Sequence, residues 1–176
     1  MLINTKNILK FNILALKELN KATFFNFSKQ IKIGENNKEI GLGDYIILER
    51  SYNRQDVTNF GNVIQDFSPI HQDEQYAATT QFKKCLVYGM QTGSVFSGMI
   101  GNAFPGIIYL GQTLQFKSPV YIDEVLTNKV EVVDIDDKKK QIKLKTTVEK
   151  KDEKKIAVIG EATVYYKTID LQVRDK

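Results

Sequence analysis

Tryptophan is absent from this chain, and cysteine and histidine occur once each, as Cys85 and His71. A single cysteine cannot close an internal disulfide, so the compartment is reducing or the thiol is buried. A single histidine excludes a multi-histidine metal site, and no zinc-like spacing occurs, so neither a metal nor another cofactor is expected. No apolar run approaches the ~20 residues of a membrane-crossing helix, and no membrane span is expected. Proline occurs three times, and two of these residues, Pro69 and Pro105, fall where a loop and a helix end are read below. What is present is ordinary for a globular protein: 176 residues, 42% hydrophobic and 26% charged, enough to bury one core without cross-links.

The net charge of +4 is unevenly distributed. Residues 1–34 hold six lysines against one acid, Glu18, for +5, while residues 35–176 sum to −1. The basicity belongs to a leader and not to a folded face, which argues against a nucleic-acid surface. The leader combines its lysines with Ile8, Leu9, Phe11, Ile13, Leu14 and Leu16 and has no arginine. A basic, acid-poor, amphipathic start reads as an organelle transit peptide, with the mitochondrial matrix as destination. The alternative is an arm packing on the domain or on a partner. Residues 35–176 are read as one domain.

Periodicity organises that domain. A first strand is predicted over Ile40–Glu49 and a short helix near Gln55–Ile64 capped by Ser51. A loop follows over Asp66–His71, and then a second short helix capped by Asp73. Between Tyr88 and Phe104, Met90, Val95, Phe96, Met99, Ile100 and Ala103 recur near 3.6 spacing, with Pro105-Gly106 as the stop. Small residues fill the rest, as in a helix wrapped closely by other structure. Strands are predicted over Ile107–Phe116, Glu124–Ile135, Gln141–Lys150 and Ile156–Lys167. The lysines of 138–140 and 150–155 read as solvated hairpin tips, or as a docking surface for an acidic carrier protein. One long central helix wrapped by an antiparallel sheet is the α+β hot-dog architecture. Its open sheet edge predicts a homodimer.

The chemistry concentrates in Gln65-Asp66-Phe67-Ser68-Pro69-Ile70-His71. A carboxylate and an imidazole five residues apart around a proline can be aimed at one point. Adding water across a double bond needs that combination: one group holds and deprotonates the water while a proton reaches the neighbouring carbon. A third requirement is a donor for the developing oxyanion, and the start of the long helix at Gly89 offers free N–H groups there. Read locally, each residue also has a structural role: Asp66 as a turn-former, His71 as a packed side chain, Gly89 as packing relief. Ser97 could simply bond back to its own helix.

The run from Asp66 through His71-Gln72-Asp73-Glu74-Gln75-Tyr76-Ala77 to Val87-Tyr88-Gly89-Met90 resembles the MaoC-like (R)-specific enoyl-CoA hydratases. Phe104-Pro105-Gly106, Ile108-Tyr109-Leu110-Gly111-Gln112 and Phe116-Lys117-Ser118-Pro119-Val120-Tyr121 extend the resemblance over about 40–168. It implies reversible hydration of trans-2-enoyl to (R)-3-hydroxyacyl thioesters, carried on CoA or acyl carrier protein. By resemblance, Asp66 and His71 activate the water, and the Gly89 N–H holds the thioester carbonyl. Ser97 supports Asp66 or the water, and Ser68 stands in place of the family's usual asparagine. Tyr88 replaces a usual histidine, and Gln65 a frequent glycine. A second reading is a catalytically reduced subunit in a larger mitochondrial complex, and a thioesterase on the same fold is a weaker third.

Overall fold

Alternation of inward- and outward-facing residues along the second half of the chain, mostly apolar inward, produces long strands with one buried face. The structure, a computed structural model, describes residues 29–32, 39–167, 169 and 171–174. Most of the expected leader, residues 1–28 together with 33–34, therefore lies outside the described residues. The strands are β1 (Lys29–Lys32), β2 (Glu39–Ile40), β3 (Tyr45–Arg50), β4 (Ile108–Phe116), β5 (Leu126–Asp136), β6 (Gln141–Lys150), β7 (Lys155–Tyr165) and β8 (Gln172–Val173). Six form one sheet in the order β1-β3-β5-β6-β7-β4, antiparallel throughout, while β2 and β8 pair in parallel beside it. The sheet thus begins inside the basic segment, because Lys29–Lys32 pairs with Tyr45–Leu48.

The buried sheet face is read from alternate residues: Leu126, Asn128, Val130 and Val132 on β5, and Ile142, Leu144, Thr146 and Val148 on β6. Four helices accompany it: α1 (Arg54–Ile64), α2 (Pro69–Gln72), α3 (Glu74–Thr79) and α4 (Gly89–Ala103). Helix α4 lies across the sheet and buries Val95, Phe96, Met99, Ile100 and Ala103. Phe96 and Ile100 are each 0% exposed, and each such burial stabilises by roughly 2–3 kcal/mol. The approach is close because of Gly93, where an added Cβ would lie 2.6 Å from Leu114 of β4.

Several sequence expectations shift. The strand expected over Ile40–Glu49 is split: Ile40 ends β2 and β3 starts at Tyr45, because Gly43 at φ 81° turns the chain between them. The cap of α1 is Asn53, not Ser51: Asn53 accepts the Asp56 N–H at 2.9 Å, and Asp56 accepts the Asn53 N–H at 3.0 Å. The stretch expected as a loop ends in a helical turn, with Pro69 at its first position, where a missing N–H costs nothing.

At the lysine tips Lys138, Lys139, Lys154 and Lys155 are exposed as expected, but several of the lysines are paired. Lys150 is 3% exposed and pairs with Glu124 at 3.0 Å and Glu153 at 3.3 Å. Lys151 pairs with Glu49, Lys139 with Asp136 and Lys140 with Asp137. Local acids offset these charges, which weakens the case for a carrier-docking surface there. Among the described residues no helix is long and apolar enough to cross a membrane.

Candidate active site

Asp66 lies between α1 and α2 and His71 lies within α2, and the shape of this stretch follows from how α1 ends. Gln65 closes the helix in the left-handed region at φ 57°, ψ 35°. This conformation favours glycine, the residue frequent here in the resembling family. The turn delivers Asp66, whose carboxylate accepts the Ser68 N–H at 2.9 Å. The Ser68 carbonyl in turn accepts the His71 N–H at 3.0 Å. Ser68 thus links the pair through its backbone, while its side chain makes no capping bond.

His71 is half-buried, and its contacts define its tautomer. Nδ1 lies 2.9 Å from the Leu86 carbonyl oxygen, which can only accept. In the neutral ring the proton therefore sits on Nδ1, and Nε2 carries the lone pair. No hydrogen bond occupies Nε2 among the described residues. The segment is pinned from both sides: Leu86 donates its N–H to Ile70 at 3.1 Å, and Arg54 Nη1 donates to the His71 carbonyl at 2.7 Å. Arg54 also pairs with Glu74 and so ties α1 to α3.

The residue before α4 packs directly on this pair. The Tyr88 ring lies 3.9 Å from the His71 ring, centroid to centroid, with 31° between planes. Its hydroxyl donates to the Asp66 carbonyl and accepts from Gln72 Nε2 at 2.9 Å. Gln72 is engaged in turn by Thr58 at 3.3 Å.

His71 and Gly89 share a cleft of about 320 Å³, whose other walls include Phe82, Leu86, Thr92 and Phe116. Its size and largely apolar lining suit a small ligand. Gly89 opens the 15-residue α4, so its N–H has no partner inside the helix. The Phe116 ring lies so close that an added Cβ at Gly89 would meet it at 3.0 Å. Asp66 is not among the cleft walls. Ser97 is exposed on α4, and among the described residues no hydrogen bond joins its hydroxyl to Asp66. The expected role of Ser97, supporting Asp66 or the water, has no hydrogen bond to Asp66 behind it among the described residues, where the Asp66 carboxylate accepts the Ser68 N–H.

The structure thus brings His71 to Gly89, and Asp66 to His71 through Ser68. Sequence reading noted Tyr88 only as a replacement and passed over Arg54, Gln72 and the Leu86 carbonyl. One signal was available: Gly61, a glycine in the middle of α1, where glycine is normally unfavourable. No three His, Cys, Asp or Glu side chains gather as a metal site among the described residues.

Residues 35–154 match the family described as the MaoC like domain. The chain is 36% identical to an (R)-specific enoyl-CoA hydratase of Aeromonas caviae, over 72% of this chain and 96% of that one. It is 30% identical to a mitochondrial 3-hydroxyacyl-[acyl-carrier-protein] dehydratase of Arabidopsis thaliana, over 74% and 80%. Among solved structures, the A. caviae (R)-hydratase superposes with a TM-score of 0.69, at 36% identity and the same coverage of 72% and 96%. Its fold is the hot dog expected from the sequence: an antiparallel sheet wrapped on a central helix. The chain belongs to the MaoC-like domain family.

Proposed function

We propose that this protein is a hydratase/dehydratase interconverting trans-2-enoyl and (R)-3-hydroxyacyl thioesters. One observation carries the reading: the Leu86 carbonyl holds His71 Nδ1, leaving Nε2 without a hydrogen bond among the described residues, in the same cleft as the helix N-terminus at Gly89. In hydration, His71 Nε2 and the Asp66 carboxylate hold a water. As its oxygen bonds to the β-carbon, the π electrons move onto the thioester carbonyl. The proton taken from the water is then returned to the α-carbon, so no co-reactant is needed. The Gly89 N–H and the dipole of α4 stabilise the oxyanion that forms on the way. Dehydration is the same path reversed.

The thioester carrier is CoA or acyl carrier protein. Both present phosphate, and Lys117 on the cleft wall, with Lys83 and Lys84 beside Phe82, offers exposed positive charge to it. A homodimer fits the sheet edge, where β4 exposes Ile108, Leu110 and Phe116. Mitochondrial relatives support a mitochondrial setting, and the basic leader favours the matrix. Asp66→Asn and His71→Ala are each expected to lower the rate of crotonyl-CoA hydration about 10²- to 10⁴-fold, with the far-ultraviolet circular dichroism of the folded protein retained. Folded variants that turn over like the wild type would remove both residues from the mechanism.

A further inference from the structure

The hydration chemistry itself asks nothing of Tyr88, yet Tyr88 touches both residues that perform it. Its ring is stacked on His71 at 3.9 Å, and its hydroxyl donates to the Asp66 carbonyl. We propose that Tyr88 is a positioning residue that sets the geometry of the Asp66–His71 pair, its ring fixing the imidazole plane and its hydroxyl fixing the backbone that carries the carboxylate. The inference rests on the roles given above to Asp66 and His71.

Three observations support it. First, Tyr88 immediately precedes Gly89, so one residue registers the acid–base segment against the helix N-terminus that receives the carbonyl. Second, the hydroxyl is built into a network and not merely tolerated. It accepts from Gln72 Nε2 at 2.9 Å while donating to Asp66, and Gln72 is engaged by Thr58 of α1. Third, the chain keeps a glycine for it. A Cβ at Gly61 would lie 2.5 Å from the Tyr88 hydroxyl, 2.8 Å from Gln72 Nε2 and 3.0 Å from the Asp66 carbonyl oxygen. Glycine in a helix interior costs roughly 0.5–1 kcal/mol relative to alanine, and at Gly61 that cost goes with room for this knot.

A packing role alone would need the ring but not the hydroxyl. Tyr88 is 3% exposed and also meets Phe60 at 5.6 Å, so phenylalanine preserves nearly all of its packing. The hydroxyl ties are what Tyr88→Phe removes, and a misplacement of ~1 Å in reacting groups can cost about 10²-fold in rate. With crotonyl-CoA and the full chain, Tyr88→Phe is expected to lower kcat about 10- to 100-fold while KM stays within about twofold and the cooperative melt is retained.

Gly61→Ala drives a methyl into the same hydroxyl and is expected to lower kcat on its own. In the Gly61→Ala/Tyr88→Phe double variant the nearest clash is gone, so the combined loss should be smaller than the product of the two. Gln72→Met, at a half-buried site, removes the donor to the hydroxyl without touching the core; a several-fold fall in kcat is expected, and it serves if Tyr88→Phe does not fold. Wild-type kcat in folded Tyr88→Phe, or in Gln72→Met, would overturn the proposal, as would multiplicative losses in the double variant. If Asp66→Asn and His71→Ala are inactive while Tyr88→Phe is not impaired, the clamp alone fails. If those two variants are active, the underlying assignment fails.

Discussion

At the scale of single residues, the site is set more by backbone geometry than by side-chain reach. Ser68 shows this: the resembling family has asparagine there, but here the useful group is the amide N–H, which any residue except proline supplies. Residue type and spacing offered Asp66 and His71 as candidates, and the resemblance to the family raised them above their structural roles. Sequence reading could not assign the His71 tautomer, because the Leu86 carbonyl that fixes it lies 15 residues away and carries no sequence signal. Gln65 is the residue whose identity works against its conformation, at φ 57°. A left-handed non-glycine residue costs roughly 1–2 kcal/mol, partly offset because glycine loses more entropy on folding. Gln65→Gly is therefore expected to raise stability by about 0.5–1 kcal/mol, read as a melting temperature higher by ~1–4 °C. An unchanged or lower melting temperature would show that the turn stores no strain.

At the scale of elements, the long helix and four strands of the second half were legible because their periods run long, despite single register shifts in the strands. Helix α4 and strands β4 to β7 fall within a few residues of expectation. The short pieces were legible only in part: the helix near Gln55–Ile64 and the short helix capped by Asp73 are found as α1 and α3, but other details were not. The turn at Gly43 splits the first expected strand, and the reciprocal bonds of Asn53 and Asp56 outcompete Ser51 for the cap. The lysine runs were read correctly except at one position, and Lys138, Lys139, Lys154 and Lys155 are exposed as expected. Lys150 is instead inward-facing at the end of β6, where burial disfavours its charge and the carboxylates of Glu124 and Glu153 more than restore it. Lys150→Met keeps the aliphatic stem but leaves Glu124 without its cation. Losing one partner of a fully buried pair costs ~3–5 kcal/mol. Because Glu124 and Glu153 remain 20% and 52% exposed, about 2 kcal/mol is expected here, a fall of ~4–8 °C in melting temperature. Hydratase activity per folded molecule should be unchanged, since Lys150 is not a wall of the cleft. An unchanged melt would mean that water serves Glu124 as well as the lysine does.

At the scale of the whole molecule, helix and sheet serve the chemistry jointly. The sheet holds α4 with its N-terminus open to a cleft, and the α1–α2 turn lays His71 across that opening. Phe82, Leu86 and Phe116 give the cleft apolar walls, against which a bound acyl chain would displace water and strengthen the helix dipole where charge develops. The family was readable from ordered motifs over most of the chain. The arrangement that makes the motifs work was not, because Gly61, Gln72 and Tyr88 meet only in three dimensions. A water held on one fixed side of a bound enoyl thioester must attack one face of the β-carbon. The most direct test is therefore to incubate the full chain with crotonyl-CoA and resolve the 3-hydroxybutyryl product on a chiral column. The account predicts (R)-3-hydroxybutyryl-CoA in large excess; an (S) product, or no hydration at all, would contradict it.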